Sequence, residues 1–306
     1  MHHTDNHYLC IMRYYRRKVL LAILTAFGGK LGKINLQKLL LIFTKLQSVP
    51  TYEFLPYRYG CFSFQANWDM RALKAYKIVE EHESEWVLNI SEDYRLQLKQ
   101  EDKDRLKYLV RVFKDMKTDD LIRYTYLKYP YYAIRSEMAP SLLSEEELDI
   151  VRKQRTVRED TTLFTIGYEG ISLERYINKL ILNGVKVLCD VRRNPLSQKV
   201  GFSKSELSFA CEASGIKYMH FPQLGIPSEK RQNLTTQKDY DILFKDFEEN
   251  YLVNRSEDIR QVFEILKLHD RIALTCFEAS YMQCHRSKVA KAITELPYWI
   301  YNLKHL

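Results

Sequence analysis

The stretch VKVLCDVRRNP, residues 185–195, decides the fold of the C-terminal half of the chain. Its first part is apolar apart from Lys186, which is typical of a strand buried on both faces of a sheet. The run ends at Asp190 and continues into a loop with Arg192 and Arg193. A core strand has no packing reason to end in these charges. The stretch therefore predicts a buried strand that leads into a functional loop.

The same alternation of strand and helix continues on both sides of this stretch. Strand-like runs lie at 163–167, 216–220 and 272–277, and helical patterns lie at 172–184 and from about His285 onward. Strands that alternate with helices indicate a mostly parallel sheet with helices on both faces. We therefore predict an α/β catalytic domain over residues 161–306.

Unusual polar and aromatic residues follow the predicted strands. Ligands of parallel sheets bind beyond the carboxyl ends of the strands. The candidate substrate-binding residues at these ends, and at the start of the last helix, are Tyr168, Glu169, Arg192, Arg193, Gln223, Phe277, Tyr281, Cys284, His285, Arg286 and Ser287. Because the carboxyl ends of parallel strands share one edge of the sheet, we expect a single site.

Asp190 and Glu278 are the candidate catalytic carboxylates. Arginines and the N-terminus of the last helix would hold a phosphate. A carboxylate pair beside such an anion site suits cleavage of an N-glycosidic bond, because the sugar becomes oxocarbenium-like. Aromatic residues at the site would stack on a base turned out of the duplex. A structural ion-pair network around Asp190 is the alternative interpretation.

Cys276, Cys284 and His285 raise two further possibilities. They could supply three zinc ligands, but their spacing is unusual, adjacent ligands strain a tetrahedral site, and a fourth ligand must come from elsewhere. We therefore predict no metal and no cofactor. A thiol at a helix N-terminus beside His285 and Arg286 has a lowered pKa, although cysteine is equally often a small buried hydrophobe. Both interpretations of Cys284 stay open.

The motifs TIGYEG, LCDVRRNPLS, YMHFPQLG and LTCFEASYMQCHRSKVA occur in this order in the C-terminal half. Together they resemble the family catalogued as domain of unknown function 488, over about residues 163–300. The resemblance implies an α/β fold and one functional site at these motifs. It implies no reaction. The helices of the N-terminal half resemble the extension found on longer members.

Residues 1–100 are predicted to form a winged-helix-like DNA-binding domain, because three helical patterns precede a β-ribbon. The third helix, which opens at Ser63, would enter the major groove. Its polar face carries Gln65, Asn67, Arg71 and Lys74. A small helical module for protein interaction would show the same pattern.

Residues 101–160 are predicted to form a helical linker. It contains a basic-aromatic strip with Arg123 and Lys128, which would lie against a nucleic-acid backbone or pack between domains. A linker of this kind would join the DNA-binding and catalytic domains.

The formal net charge of +8 favours an anionic partner, of which nucleic acid is the commonest. The six cysteines are scattered and no apolar run has the length of a membrane span, so we predict a cytoplasmic protein with no membrane partner. The combined prediction is a metal-independent DNA glycosylase acting on a modified or unusual base, in repair or in defence against foreign modified DNA. Its partner would be double-stranded DNA with a flipped nucleotide. The alternatives are a DNA-binding regulator that senses an anionic ligand and a metal-dependent nuclease.

Overall fold

The structure is a computed structural model that describes residues 14–89, 92–227, 230 and 236–306. Residues 1–13 of the predicted N-terminal domain lie outside the described residues. The chain divides into two compact units, residues 1–155 and 156–306. Within the described residues, no helix is both long and apolar enough to cross a membrane. The cytoplasmic location stays a prediction.

The first unit is largely helical, as predicted, and contains two small antiparallel sheets. Its first elements are α1 (Tyr15–Ala26), β1 (Lys30–Gly32), α2 (Lys33–Leu46), β2 (Leu55–Tyr57), β3 (Gly60–Phe62), α3 (Phe64–Ala75), β4 (Val79–Glu81) and β5 (Glu85–Leu88). Three strands pair in the order β1-β5-β4, and β2 pairs with β3. Ser63 caps α3 by accepting a hydrogen bond from the Ala66 amide. The winged-helix assignment stays a prediction.

The segment predicted as a linker packs into the first unit instead. Its helices are α4 (Gln100–Phe113), α5 (Thr118–Lys128), α6 (Ala139–Leu142) and α7 (Glu145–Arg152). Leu109, Phe113 and Leu121 are buried in the same core as α1 and α2. A helical pattern shows which face is apolar but not which core will bury it. Residues 101–155 therefore form part of this unit.

The basic-aromatic strip is mostly a packing element. Tyr126 is buried, and Tyr124, Tyr129 and Tyr132 pack on the core of the first unit. Burial raises the pKa of Tyr126 to about 12, which keeps its hydroxyl protonated beside Ser136. These aromatic residues therefore pack within the first unit, which neither interpretation of the strip had stated.

The second unit contains a parallel five-stranded sheet. Its strands are β6 (Thr162–Gly167), β7 (Val187–Asp190), β8 (Lys217–His220), β9 (Arg271–Cys276) and β10 (Asn302–His305), paired in the order β10-β6-β9-β7-β8. Every pair in this sheet is parallel, which confirms the predicted α/β class. The edge strand β10 lies outside the strand runs that the sequence indicated.

Helices cover both faces of this sheet. They are α8 (Leu173–Leu182), α9 (Lys204–Ala213), α10 (Gln237–Asp246), α11 (Ser256–His269) and α12 (Arg286–Thr294). Leu274 of β9 lies in one core with Val262 of α11 and Val289 of α12. The next residue, Thr275, receives a hydrogen bond from Tyr176 of α8 at 2.7 Å. Because successive strand residues point to opposite faces, α8 lies on the face opposite α11 and α12.

Two glycines allow loops to meet at the carboxyl edge of the sheet. A Cβ atom on Gly167 would lie 1.9 Å from the backbone oxygen of Glu278. A Cβ atom on Gly225 would lie 2.1 Å from the backbone nitrogen of Arg193. Only glycine fits where backbone approaches backbone this closely. The end of β6 thereby meets the loop after β9, and the loop after β8 meets the loop after β7.

We expect Gly167→Ala to destabilise the protein by about 3 kcal/mol or more, because the new methyl group collides with backbone that cannot rotate away. Gly170→Ala is the matched control: Gly170 has φ +75° but open space around it. Its cost should be about 1–2 kcal/mol, from the left-handed conformation alone. Urea unfolding measures both. Equal losses in the two variants would show that the close approach at Gly167 is absent.

Candidate functional site

A cavity of about 290 Å³ lies at the carboxyl edge of the parallel sheet. The loops that follow β6, β7 and β9 form most of it. Its lining residues are Tyr168, Arg192, Arg193, Asn194, Leu196, Ser197, Gln198, Lys199, Ile226, Cys276 and Phe277. This is the position where ligands bind to open parallel sheets. The structure thus brings Tyr168, Arg192, Arg193 and Phe277 together, as the sequence predicted.

Asp190 does not face this cavity. Its side chain is fully buried, and its carboxylate accepts hydrogen bonds from Nε of Arg192 at 2.9 Å and from the hydroxyl of Tyr218 at 2.6 Å. The backbone amide of Arg192 donates to the same carboxylate at 3.0 Å. Burial, together with the charge of Asp190, raises the pKa of Tyr218, which stays a donor. The catalytic role predicted for Asp190 is therefore corrected to a structural one.

Arg192 extends this network to other walls of the cavity. Its Nη1 donates to the Tyr168 hydroxyl and to the Phe202 carbonyl, both at 2.8 Å. The side chain is only 5% exposed. Arg192 therefore fits the alternative interpretation of a structural ion-pair network around Asp190, because its guanidinium is hydrogen-bonded to other groups of the protein. Arg192 shapes the cavity, and most of its donors are already in use.

Two other cations line the cavity with more freedom. Arg193 is exposed and donates to Oε1 of Gln223 at 2.9 Å, which brings those two predicted residues together. Lys199 is partly buried, and its Nζ donates to the Tyr168 carbonyl at 2.7 Å. Partial burial lowers the pKa of Lys199, and the charge of Glu169 opposes this effect. Lys199 was not among the predicted site residues, and its signal in the sequence was its place in the loop that follows Arg192 and Arg193.

The aromatic residues of the site differ in what they can contact. Tyr168 is 3% exposed and stacks on Phe202, with ring centroids 4.3 Å apart. Phe277 is 42% exposed and meets Tyr168 edge to face. Tyr281 is not among the lining residues and stacks on His305 at 3.6 Å. Of the three rings predicted to stack on a base, Phe277 is the one that lines the cavity with an exposed surface.

The start of α12 binds its own chain rather than an anion. Arg286 is 1% exposed, and its guanidinium donates to the carbonyls of Glu278 and Ala279. Ser287 donates to the Cys284 carbonyl. Glu169 accepts a hydrogen bond from the Ala279 amide at 2.9 Å. The phosphate role predicted for Arg286 is therefore corrected: it holds the loop after β9.

Cys276, Cys284 and His285 form a buried cluster whose donor atoms all lie within 4.8 Å of one another. Nδ1 of His285 lies 3.5 Å from Sγ of Cys276 and 4.0 Å from Sγ of Cys284. Nε2 of His285 is 2.9 Å from the Val191 carbonyl. Burial raises the pKa of Cys284 well above its ordinary value. Of the two interpretations left open for Cys284, this favours a buried thiol over an activated one.

Glu278 lies beside this cluster. Burial raises the pKa of its carboxyl, and the neighbouring Cys276 adds to the effect. A hydrogen bond with Cys284 acts in the opposite direction. The second predicted carboxylate is thus hydrogen-bonded to Cys284, and it lies near Cys276, which lines the cavity.

The DNA-binding candidates of the first unit are placed differently from one another. Arg71 is exposed on α3, and Lys74, one turn further on, pairs with Glu81 at 2.9 Å. Asn67 is partly buried on α3, and Lys128 is exposed at the end of α5. Gln65 turns towards Asp69, and Arg123 forms an ion pair with Glu147. Arg71 and Lys128 therefore present the clearest exposed charge.

Residues 172–293 match the family model described as Domain of unknown function DUF488. The match covers 122 of the 306 residues and confirms the resemblance predicted from the motifs. No curated protein and no solved structure matches the chain. The DUF488 segment contains Asp190, Arg192, most of the cavity lining and the whole Cys-His cluster, whereas Tyr168 precedes it.

We expect Asp190→Asn to lower the free energy of unfolding by about 3–5 kcal/mol, because the buried guanidinium of Arg192 loses its counter-charge. Combining it with Arg192→Met should recover part of the loss, since no unpaired charge is then buried. Chemical denaturation of the two variants measures this. An Asp190→Asn protein as stable as the wild type would restore Asp190 as a catalytic candidate.

Proposed function

We propose that the protein binds DNA and hydrolyses the N-glycosidic bond of a modified or unusual base held in the cavity of the DUF488 segment. The observation that carries the proposal is the composition of the cavity wall. Arg193 and Lys199 offer positive charge on one part of it, and Phe277 offers an exposed ring on another. A phosphate and a base are the two parts of a nucleotide that such groups bind.

The size of the cavity supports a ligand of about one nucleotide. Its volume of about 290 Å³ lies just below the range for small-molecule sites, ~300–1,000 Å³. A base inside a duplex cannot reach such a cavity, so it would have to be turned out of the stack. Enzymes that act on bases commonly work in this way, which agrees with DNA as the partner.

Glu278, the second predicted carboxylate, is the one that we assign to the reaction. Asp190 is occupied by Arg192 and Tyr218, whereas Glu278 directly follows the cavity residue Phe277. A carboxylate at this position can stabilise an oxocarbenium-like sugar or transfer a proton. Repair, or defence against foreign modified DNA, would be the setting for such an activity.

The first unit would supply affinity for DNA. It carries 26 Lys and Arg residues against 20 Asp and Glu residues, whereas the second unit carries 21 against 19. Most of the basic excess is thus in the unit that contains α3 and its exposed Arg71. A winged-helix-like interpretation of α1, α2, α3 and the β1-β5-β4 sheet agrees with this role.

A DNA-binding regulator that senses an anionic ligand is the second candidate. Among the described residues, no carboxylate lines the cavity, which favours binding over hydrolysis. A two-metal nuclease has less support, because its site needs clustered carboxylates and the cluster here consists of thiols and an imidazole. Covalent change of the DNA separates the first candidate from the second.

We expect the full-length protein to produce strand breaks in base-modified duplexes only after alkali, since abasic sites are alkali-labile. Lys199→Gln should slow base release about ten-fold or more, because a hydrogen bond to a charged group is lost. Lys204→Gln removes the same charge from an exposed residue outside the cavity and is the control. Breaks without alkali would contradict glycosylase activity. Salt-sensitive binding with no covalent change on any substrate would favour the regulator.

We expect Arg71→Gln to weaken DNA binding uniformly and to reduce the salt slope of the logarithm of the binding constant by about one. The reason is the loss of one phosphate contact. Lys107→Gln on α4, which pairs with Asp104, is the matched control. Fluorescence anisotropy over a salt series gives both slopes. Binding that is insensitive to salt would contradict every DNA proposal for this protein.

A further inference from the structure

We propose that Cys276, Cys284 and His285 bind one Zn²⁺ ion through Sγ, Sγ and Nδ1, with a fourth coordination position left for water or a substrate group. We predicted no metal from the sequence, because the ligand spacing is unusual, adjacent ligands strain a tetrahedral site and a fourth ligand must come from elsewhere. The structure removes the objection from spacing, because the end of β9 and the start of α12 bring the three side chains to one point, with their donor atoms within 4.8 Å of one another. An open fourth position removes the need for a fourth protein ligand. The binding of zinc does not depend on the proposed function.

The two sulfur–nitrogen distances of the cluster are close to those of a tetrahedral zinc site. With Zn–S near 2.3 Å and Zn–N near 2.0–2.1 Å, a tetrahedral ion separates sulfur and nitrogen ligands by about 3.5 Å. Nδ1 of His285 lies 3.5 Å from Sγ of Cys276 and 4.0 Å from Sγ of Cys284. One separation fits directly, and the other needs a shift of a few tenths of an ångström.

The imidazole is oriented for coordination. Nε2 of His285 is 2.9 Å from the Val191 carbonyl, which only accepts hydrogen bonds, so Nε2 carries the proton. Nδ1 then presents its lone pair to the two sulfur atoms. Metal-bound histidines almost always donate their second nitrogen to such a partner, which fixes the tautomer and the ring. Val191 directly follows strand β7, and its amide donates to the Thr275 carbonyl of β9 at 3.3 Å, which ties this support to the sheet.

The donor set selects the ion. Two thiolates and an imidazole are ligands for Zn²⁺ and other soft or borderline metals, whereas Mg²⁺ and Ca²⁺ prefer oxygen. Three protein ligands are also the number found at catalytic zinc sites, in which a fourth position is kept open. The cluster therefore fits zinc better than a hard divalent cation.

The open position would face the cavity, because Cys276 belongs both to the cluster and to the cavity wall. Zinc lowers the pKa of a bound water to about 7. On the proposed function, that water supplies hydroxide to the sugar carbon and a proton to the departing base, while the sugar–base bond breaks. This role rests on the proposed function, whereas the metal site stands on its own geometry.

Metal analysis of the full-length protein without an affinity tag tests the site. We expect about one Zn²⁺ per chain after dialysis. Cys284→Ser and His285→Gln should each weaken zinc binding about ten-fold or more. Cys211→Ser, at a buried thiol outside the cluster, should keep the metal, and so should a variant with His2, His3 and His7 all changed to Asn. Wild-type protein that holds no more zinc than a Cys276→Ser/Cys284→Ser variant would overturn the proposal.

A second measurement needs no variant and is therefore unaffected by variants that fail to fold. Wild-type protein stripped by chelator is titrated with Co²⁺. We expect a thiolate-to-cobalt charge-transfer band and strong visible bands of a tetrahedral ion, both displaced by Zn²⁺. Absence of these bands, or intact mass showing Cys276 and Cys284 joined as a disulfide in the native protein, would overturn the site.

The two proposals fail in different ways. Zinc binding without base release on any substrate would contradict the proposed function and leave the metal site intact. Base release that persists in zinc-free protein would support the proposed function and contradict the role of the metal in it.

Discussion

The buried ion pair of Asp190 and Arg192 is the interaction on which the carboxyl edge of the sheet depends. Burying two charges costs several kcal/mol unless the remaining donors and acceptors are also satisfied. Here Arg192 reaches Tyr168 after β6 and Phe202 before α9, and Asp190 reaches Tyr218 on β8. One guanidinium thus joins the elements that surround the cavity. The loop after β7 is then held in a fixed position, from which it presents Arg193 and Lys199 to the cavity.

The sequence was sufficient to predict the α/β class and the parallel sheet, because buried strands and amphipathic helices have different apolar periods. It did not indicate β10, whose four exposed residues lack a strand pattern. It also separated residues 101–155 from the first unit, although Leu109 and Phe113 complete its core. A helical period reveals an apolar face but carries no information on the partner of that face.

The location of the site followed from the rule that the ends of parallel strands meet, but the direction of each side chain did not. The side chain of Asp190 points into the protein towards Tyr218, which is distant in sequence. The side chain of Arg286 points towards carbonyls of the folded loop after β9. No sequence pattern shows either partner. Spacing rules describe short motifs, so they do not show that the donor atoms of Cys276, Cys284 and His285 lie within 4.8 Å of one another. Here a loop brings the end of a strand back to the start of a helix, which depends on contacts such as that at Gly167.

Photocrosslinking tests most directly whether the cavity of the DUF488 segment holds a nucleotide of the bound DNA. A duplex with a photoreactive base is irradiated with the full-length protein, and the crosslinked peptides are identified by mass spectrometry. We expect crosslinks at Phe277 or within residues 193–199, and we expect them to be lost when an unlabelled duplex competes. Crosslinks confined to residues 14–155, with none in the second unit, would contradict it.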